Sequence, residues 1–434
     1  MPHSPARNNS QKSTADLHPD NCSPVNLWRQ GFSFSHSALF RNAYTNLTLT
    51  EAIDAGVYAN MRLSENLPTE VIHRDGKVSE FDYEIDESIA EVTANTSLGF
   101  LSLANMISDP RSRMQAILVV RGGKIVFEAY IGMRPWDNHV WQSAAKPLNG
   151  LLLHQLVEEG LVDLDHPVSA YVPDLQATVW EDVPVWSVLH QRSGLDVGEL
   201  QYGQPGHPVT EFYQAAAGGP DVGPGSSYME SLKAVKKQAE PGTSYRYSSL
   251  NAWAVASICE HVAQKTFGEL VSERVWRKTG MEGDALLGLS PKGESTAFAI
   301  LSSRLRDFAR FGVLFTPSWR SLATERVVPE SYLSSVYAAT RPEIFADDYM
   351  GKRINQGFGE IGTGQSYLWD AVLPDGDLYK MGRLGQALYI SPSTDSVVVW
   401  FSAAYKNALW LHPFAREIVL QKMTGSRQLE YRAS

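Results

Sequence analysis

The chain has 434 residues, enough for two or three domain-sized units or for one large domain with an insertion. Hydrophobic residues make up 43% and charged residues 20%, a balance that excludes disordered, collagen-like and low-complexity proteins. With 38 basic and 48 acidic residues the net charge is −10, which repels nucleic-acid phosphates and anionic membranes. We therefore expect neither a nucleic-acid partner nor a membrane, and no stretch approaches the 18 apolar residues of a membrane span.

The N-terminal region predicts a flexible leader over residues 1–30, because it is polar and carries several prolines. It has no apolar core of the kind found in secretory signals, so we expect a cytoplasmic protein. Cys22 and Cys259 are the two cysteines, which excludes a disulfide framework and a four-cysteine zinc site. No HExxH pattern occurs either, and we expect no metal and no cofactor.

The first clear elements are a hairpin and a helix. An apolar run at 115–120, a Gly122-Gly123 turn and a return run at 124–131 predict two paired strands. The spacing of apolar residues then predicts a helix over 143–159. Helical patterns continue to about residue 315, interrupted by a Gly- and Pro-rich stretch at 196–240 that is typical of a binding loop or lid.

Period-two patterning returns in the last hundred residues. It predicts four antiparallel strands at 366–370, 377–382, 385–391 and 396–402, and a closing helix follows at about 413–422. Strands near both ends with helices between them predict an α/β (α+β) fold, in which an antiparallel sheet is flanked by helices and carries an inserted all-helical domain. The predicted units are a leader (1–30), an N-terminal extension with the first strands (31–140), a mainly helical domain (141–340) and the C-terminal strands with their helix (341–434).

A candidate nucleophile stands at the start of the first long helix, in the tetrad Ser143-Ala-Ala-Lys146. Pro147 is tolerated only in the first turn of a helix, so it fixes the helix start near Ser143, at the positive end of the helix dipole. Lys146 lies one turn further on the same face, where a buried neutral amine could accept the serine proton. An N-cap serine followed by a solvated lysine is the structural alternative.

A second candidate group follows the turn Pro241-Gly242. Tyr247 is placed at the mouth of the next helix, where two cationic neighbours would lower its pKa and allow it to relay protons. A half-buried structural tyrosine is the alternative, and Tyr245 could compete for the role.

These motifs resemble the serine hydrolases related to class C β-lactamases, and within them most closely the 6-aminohexanoate-dimer hydrolases and allied esterases. The resemblance covers roughly residues 100–423 and includes the stretch Gly382-Arg383-Leu384-Gly385-Gln386, which is similar to the last active-site strand of that group. It implies a β-lactamase/DD-peptidase-like fold with the site in a cleft between a sheet domain and a helical domain.

The resemblance also implies roles for single residues. Ser143 would be the acylated nucleophile, and Lys146 and Tyr247 would handle protons. The backbone N–H groups of Ser143 and Arg383 would form the oxyanion hole. Tyr202, Ser249, Asn251 and Gly385 occupy positions implied to face the substrate.

Two departures from the motifs of that family weaken the interpretation that the substrate is a β-lactam or peptidoglycan. Ser249 stands where the Tyr-x-Asn pattern of that family has asparagine, with Asn251 two residues further on. A literal Lys-Thr-Gly begins at Lys278, but it ends a helix ahead of the C-terminal strands, which offer Lys380-Met381-Gly382 or Arg383-Leu384-Gly385 instead.

We therefore expect a serine hydrolase that cleaves a small-molecule ester or amide through an acyl-enzyme. The alternatives are an acyltransferase on the same site, a β-lactamase or D-amino-acid peptidase, and a catalytically dead binding homologue. The sequence leaves the substrate open, and a homodimer is compatible with it.

Overall fold

The computed structural model describes residues 22–45, 47–216, 227–360, 362–404 and 411–424. Most of the leader predicted at residues 1–30, and the Gly- and Pro-rich residues 217–226, therefore lie outside the described residues. The strands are β1 Thr69–Ile72, β2 Asp82–Tyr83, β3 Thr93–Thr96, β4 Gly99–Ser102, β5 Met114–Arg121, β6 Lys124–Tyr130, β7 His139–Val140, β8 Ala285–Gly288, β9 Leu301–Ser303, β10 Ala371–Val372, β11 Leu378–Gly382, β12 Gln386–Ser391 and β13 Ser396–Ser402.

The helices lie mainly between β7 and β10. They are α1 Phe34–Asn42, α2 Asp54–Met61, α3 Leu103–Ser108, α4 Lys146–Glu158, α5 Val185–Leu189, α6 Pro208–Ala216, α7 Tyr228–Ala234, α8 Ser249–Ala263, α9 Phe267–Arg274, α10 Leu305–Val313, α11 Glu330–Ala338, α12 Pro342–Asp347, α13 Tyr349–Phe358 and α14 His412–Ile418, which continues as a π-helix, Val419–Met423. None of the helices in the described ranges has the length and apolar character needed to cross a membrane.

The main sheet joins strands from both ends of the chain, as the sequence predicts. Its order is β10-β11-β12-β13-β5-β6-β2, antiparallel except for β2, which pairs parallel to β6 at the edge. The central contact is between β13 and β5, where Val399 pairs with Leu118. The predicted antiparallel α/β fold is confirmed.

Both faces of this sheet are covered, because successive side chains of a strand point to opposite sides. Leu118, Val399 and Phe401 belong to the hydrophobic cluster that contains helix α10. Val119 and Trp400 belong to a second cluster, which contains Phe414 of α14. Residues on both faces of β12 and β13 are therefore buried, so that these strands have no exposed face.

One predicted strand is wrong. Residues 366–370 form a buried turn, in which Tyr367 and Leu368 adopt left-handed backbone angles, with φ of 49° and 63°. The strand at this position is the short β10, just after the turn. The apolar side chains of this turn are buried because they pack in the main hydrophobic core, and the Leu368 N–H donates to the Leu189 carbonyl.

The region between the hairpin and β10 also contains a smaller sheet that the sequence patterning did not predict. Its order is β1-β8-β9-β7, and all its pairs are antiparallel. Since β1 comes from the N-terminal extension, this sheet ties residues 69–72 to the segment that follows α9. Its edge strand β7 leads directly into the turn that carries Ser143.

Candidate active site

Ser143 lies in a 3-10 turn, Gln142–Ala145, that leads directly into α4. Pro147 occupies the first turn of α4, as the sequence predicts. The serine is half-buried and lines a cleft of about 1020 Å³. Its side chain is therefore at the positive end of a helix and open to a ligand.

Lys146 is fully buried beneath the serine. Its Nζ lies 2.8 Å from Ser143 Oγ and 2.9 Å from the Phe298 carbonyl oxygen. Burial lowers the pKa of Lys146 to about 7, with Lys380 acting in the same direction and the carboxylate of Glu199 opposing it. A neutral amine is therefore available beside the hydroxyl near neutral pH.

Tyr247 stands between two lysines at the start of α8. The centroid of its ring is 5.2 Å from Lys146 Nζ and 4.9 Å from Lys380 Nζ, and Lys380 Nζ donates to its hydroxyl at 3.1 Å. Burial raises the pKa of Tyr247 well above its ordinary value, and the carboxylates of Asp370 and Glu199 add to this, while a hydrogen bond with Ser143 opposes it. The expectation of a lowered pKa is wrong, because burial and carboxylates outweigh the cations, and the phenol keeps its proton.

The strand β11 supplies Lys380, the first residue of one of the two candidate third motifs. Its ammonium group lies 2.6 Å from Asp370 Oδ1, and both side chains are buried. The second oxygen of Asp370 accepts the N–H of Met381 at 2.9 Å. Lys278, in contrast, pairs with Glu325 at 3.1 Å and does not line the cleft.

The end of β11 approaches the serine turn closely. A Cβ on Gly382 would lie 2.4 Å from the Trp141 carbonyl oxygen, so only glycine allows the strand to come this near. Arg383 follows it and lines the same cleft as Ser143. This places the backbone of Arg383 on the side of the cleft where the second oxyanion donor was predicted.

Another wall of the cleft carries a carboxylate. Ser249 Oγ donates to Glu199 Oε1 at 2.6 Å, and the Tyr213 hydroxyl lies 2.8 Å from Ser249 Oγ and also contacts Glu199. The ring of Tyr202 stands edge-on to that of Tyr213, 5.3 Å between centroids, and lines the cleft as predicted. Ser249, in the expected asparagine position, therefore binds a carboxylate of the chain itself.

Two predicted substrate-facing residues lie outside the cleft. Asn251 is fully buried on the inner face of α8, where its Nδ2 donates to Gln191 Oε1 at 3.1 Å. Gly385 lies in a turn with φ of 89°, and its carbonyl accepts from Trp400 Nε1. The turn of the helix and the turn after β11 direct both residues into the protein interior.

Several residues of this site were not singled out from the sequence. Asp370, Glu199 and Tyr213 carry no motif, since each comes from a separate loop or helix. Tyr245, the competing tyrosine, is buried against Phe345. In the described part of the chain, no three His, Cys, Asp or Glu side chains are grouped so that they could hold a metal ion.

Comparison with known proteins places this geometry in a family. The model of the Beta-lactamase family matches residues 110–409, which is more than half of the chain. The chain belongs to the beta-lactamase family. That match contains Ser143, Tyr247 and Lys380, and it makes the chain a member of a family of hydrolases.

Individual members of the family are similar to most of the chain. A 6-aminohexanoate-dimer hydrolase of Paenarthrobacter ureafaciens is 28% identical over 357 residues, which cover 80% of this chain and 85% of that protein. A solved structure from Bacillus anthracis, provisionally named a 6-aminohexanoate-dimer hydrolase, superposes with a TM-score of 0.70 at 20% identity over 85% of this chain and 93% of its own. EstCE1, a hydrolase with promiscuous acyltransferase activity, superposes with a TM-score of 0.56 at 16% identity. The superposition covers 73% of this chain and 98% of EstCE1.

Proposed function

We propose that the protein is a serine hydrolase that cleaves a small ester or amide through an acyl-enzyme on Ser143. The observation that carries this proposal is the contact of 2.8 Å between Lys146 Nζ and Ser143 Oγ, with the pKa of the lysine lowered to about 7. A general base works best when its pKa is near the working pH. Membership in a hydrolase family supports the same conclusion.

In the proposed acylation step, the neutral amine of Lys146 takes the proton of Ser143 as its oxygen attacks the substrate carbonyl. The backbone N–H groups of Ser143 and Arg383 would receive the negative charge that develops on the carbonyl oxygen. Tyr247 keeps its phenolic proton and can deliver it to the leaving alcohol or amine. The proton held by Lys146 then restores the phenol.

Deacylation would run through the same groups in reverse order. Water replaces the leaving group, loses a proton to the base, and attacks the ester carbon on Ser143. The products are a carboxylic acid and the free serine, so that atoms and protons balance over the cycle. The same residues thus serve both halves of the reaction.

The cleft favours substrates without a carboxylate close to the scissile bond. Lys380 is the buried cation nearest to Tyr247, and its charge is already compensated by Asp370 at 2.6 Å. Glu199 adds a negative charge that acts on Lys146 and on Tyr247. The negative charge of Glu199 and the compensation of Lys380 by Asp370 argue against β-lactams and D-amino-acid peptides as preferred substrates.

A substrate panel tests the proposal directly. It should contain 4-nitrophenyl esters of increasing chain length, the corresponding anilides, the 6-aminohexanoate dimer and a chromogenic cephalosporin. We expect turnover of esters or amides, a rate on the cephalosporin at least tenfold lower, and no activity above background in Ser143→Ala. Full activity in that variant would contradict the proposal, and so would a cephalosporin rate above all others.

The size of the cleft favours one second candidate, acyl transfer to an alcohol or amine. A volume of about 1020 Å³ lies at the upper end for small-molecule sites and leaves room for an acceptor beside the acyl group. The rim carries exposed apolar side chains, with Leu200 80% and Tyr202 45% exposed. The promiscuous acyltransferase activity stated for EstCE1 is consistent with this candidate. Adding benzyl alcohol to an ester assay should yield the benzyl ester if the protein transfers acyl groups, and only the acid if it does not.

A further inference from the structure

The residue immediately before the nucleophile has an unusual backbone conformation. Gln142 has a φ of 54°, in the left-handed region that non-glycine residues rarely occupy. Such a conformation persists only where surrounding contacts hold it, and it often occurs at functional sites. Because Ser143 follows directly, the conformation of Gln142 determines where the backbone N–H of Ser143 points.

The contacts that hold Gln142 come from the N-terminal extension. Its side chain is 4% exposed, and Nε2 donates to the Leu49 carbonyl and to Asn60 Oδ1, both at 2.9 Å. Asn60 is 1% exposed, and its own Nδ2 donates to the Leu49 and Gly56 carbonyls at 3.1 and 2.9 Å. The two amides and the two carbonyls thus form a closed, buried hydrogen-bond network.

The same stretch of chain also reaches the other side of the predicted oxyanion hole. Arg383 Nε donates to the Thr50 carbonyl at 3.0 Å, and Leu49 and Thr50 line the cleft. Residues 48–60, here called the support segment, therefore contact both the residue before the nucleophile and the strand end that faces it.

We propose that the support segment is part of the active site and positions its oxyanion hole, with Asn60 and Gln142 as positioning residues. The inference rests on the proposed function, since it assigns a role in the same acyl transfer. Asn60 holds the side chain of Gln142, Gln142 holds the left-handed turn, and the turn aims the Ser143 N–H at the substrate carbonyl oxygen. Neither side chain takes or gives a proton in the reaction.

The experiment compares two asparagines of the same region. Asn60→Leu removes the hydrogen bonds of the network and keeps the branched shape of the side chain, whereas Asn66→Leu removes a single hydrogen bond to the Arg62 carbonyl, away from Gln142. We expect Asn60→Leu to lower kcat on an ester by about tenfold or more, with KM within threefold, because small displacements of reacting groups are costly. Asn66→Leu should behave as wild type.

Inhibition by a boronic acid distinguishes a specific effect on the oxyanion hole from a general loss of structural order. The adduct of a boronic acid with serine is a tetrahedral anion that occupies the oxyanion hole. The inhibition constant of the boronic acid should rise in Asn60→Leu by about the same factor as kcat falls, while the acid limb of the pH profile stays in place, since Lys146 is untouched. Should Asn60→Leu fail to fold, Gln142→Met, which keeps the volume and removes the donor, replaces it. Wild-type kcat and boronate affinity in a folded Asn60→Leu or Gln142→Met would overturn the inference. A wild-type enzyme that forms no adduct on Ser143 would instead overturn the proposed function.

Discussion

The ammonium group of Lys380 lies 2.6 Å from Asp370 Oδ1, and the same group donates to the Tyr247 hydroxyl at 3.1 Å. Both charged side chains are buried. Lys380 is thus bound to a carboxylate of the protein before any substrate arrives, and its remaining contact is with a residue of the proposed proton relay. The charge of Lys380 is therefore already compensated by Asp370.

The pair should therefore show strong energetic coupling. Removing one partner leaves a buried charge without compensation, so Asp370→Asn and Lys380→Met should each lower the free energy of unfolding by about 3–5 kcal/mol. The double variant Lys380→Met/Asp370→Asn should lose much less free energy of unfolding than the sum of the two single losses. Denaturant unfolding of the four proteins measures this coupling.

A surface pair provides the control for that cycle. Lys278 and Glu325 lie 3.1 Å apart with partly exposed side chains, and breaking such a pair costs less than about 1 kcal/mol. Glu325→Gln should therefore remain close to wild type. Additive losses in the Lys380 and Asp370 variants would show that the two charges do not depend on each other.

The pH dependence of kcat/KM should show the effect of the Glu199 charge on the pKa of Lys146. The pKa of Lys146, about 7, would appear as the acid limb of kcat/KM, because only the neutral amine can accept the serine proton. Glu199 stabilises the ammonium form and so raises this pKa. Glu199→Gln should move the acid limb to lower pH. Asp196→Asn, at a cleft residue that pairs with His207, should leave the limb where it is. A shift to higher pH in Glu199→Gln would contradict the electrostatic account.

Two nearby tyrosines allow a test of the proton relay. Tyr247→Phe should lower kcat by on the order of a hundredfold, the usual size of a general acid–base contribution. Tyr245→Phe should keep kcat within a fewfold, because the Tyr245 ring packs against Phe345. Both variants keep an aromatic ring, so that steady-state kinetics compares the loss of one hydroxyl with the loss of the other. The reverse ranking would move the relay to Tyr245.

The sequence predicted those parts of the structure that depend on local pattern. The apolar segments of β5, β12 and β13 are visible in the sequence, and the distance from Ser143 to Lys146 is set by a single helical turn. Asp370, Glu199 and Asn60 could not be predicted, since each is brought to the site by chain segments distant in sequence. The apolar pattern at Tyr367 and Leu368 predicts a strand, but burial alone does not distinguish a packed turn from a strand. Asn251 does not reach the cleft because it lies two positions beyond Ser249 on α8. Such a shift turns a side chain from the cleft to the core.

The most direct test of the account is the mass of the intact protein after treatment with a fluorophosphonate. We expect a single adduct that peptide mapping assigns to Ser143, formed rapidly in the wild type, at least about a hundredfold more slowly in Lys146→Ala, and not at all in Ser143→Ala. Circular dichroism should show that both variants are folded. An adduct on another residue, or labelling of Ser143 at an undiminished rate in Lys146→Ala, would contradict the claim that Lys146 activates Ser143 as the nucleophile of this enzyme.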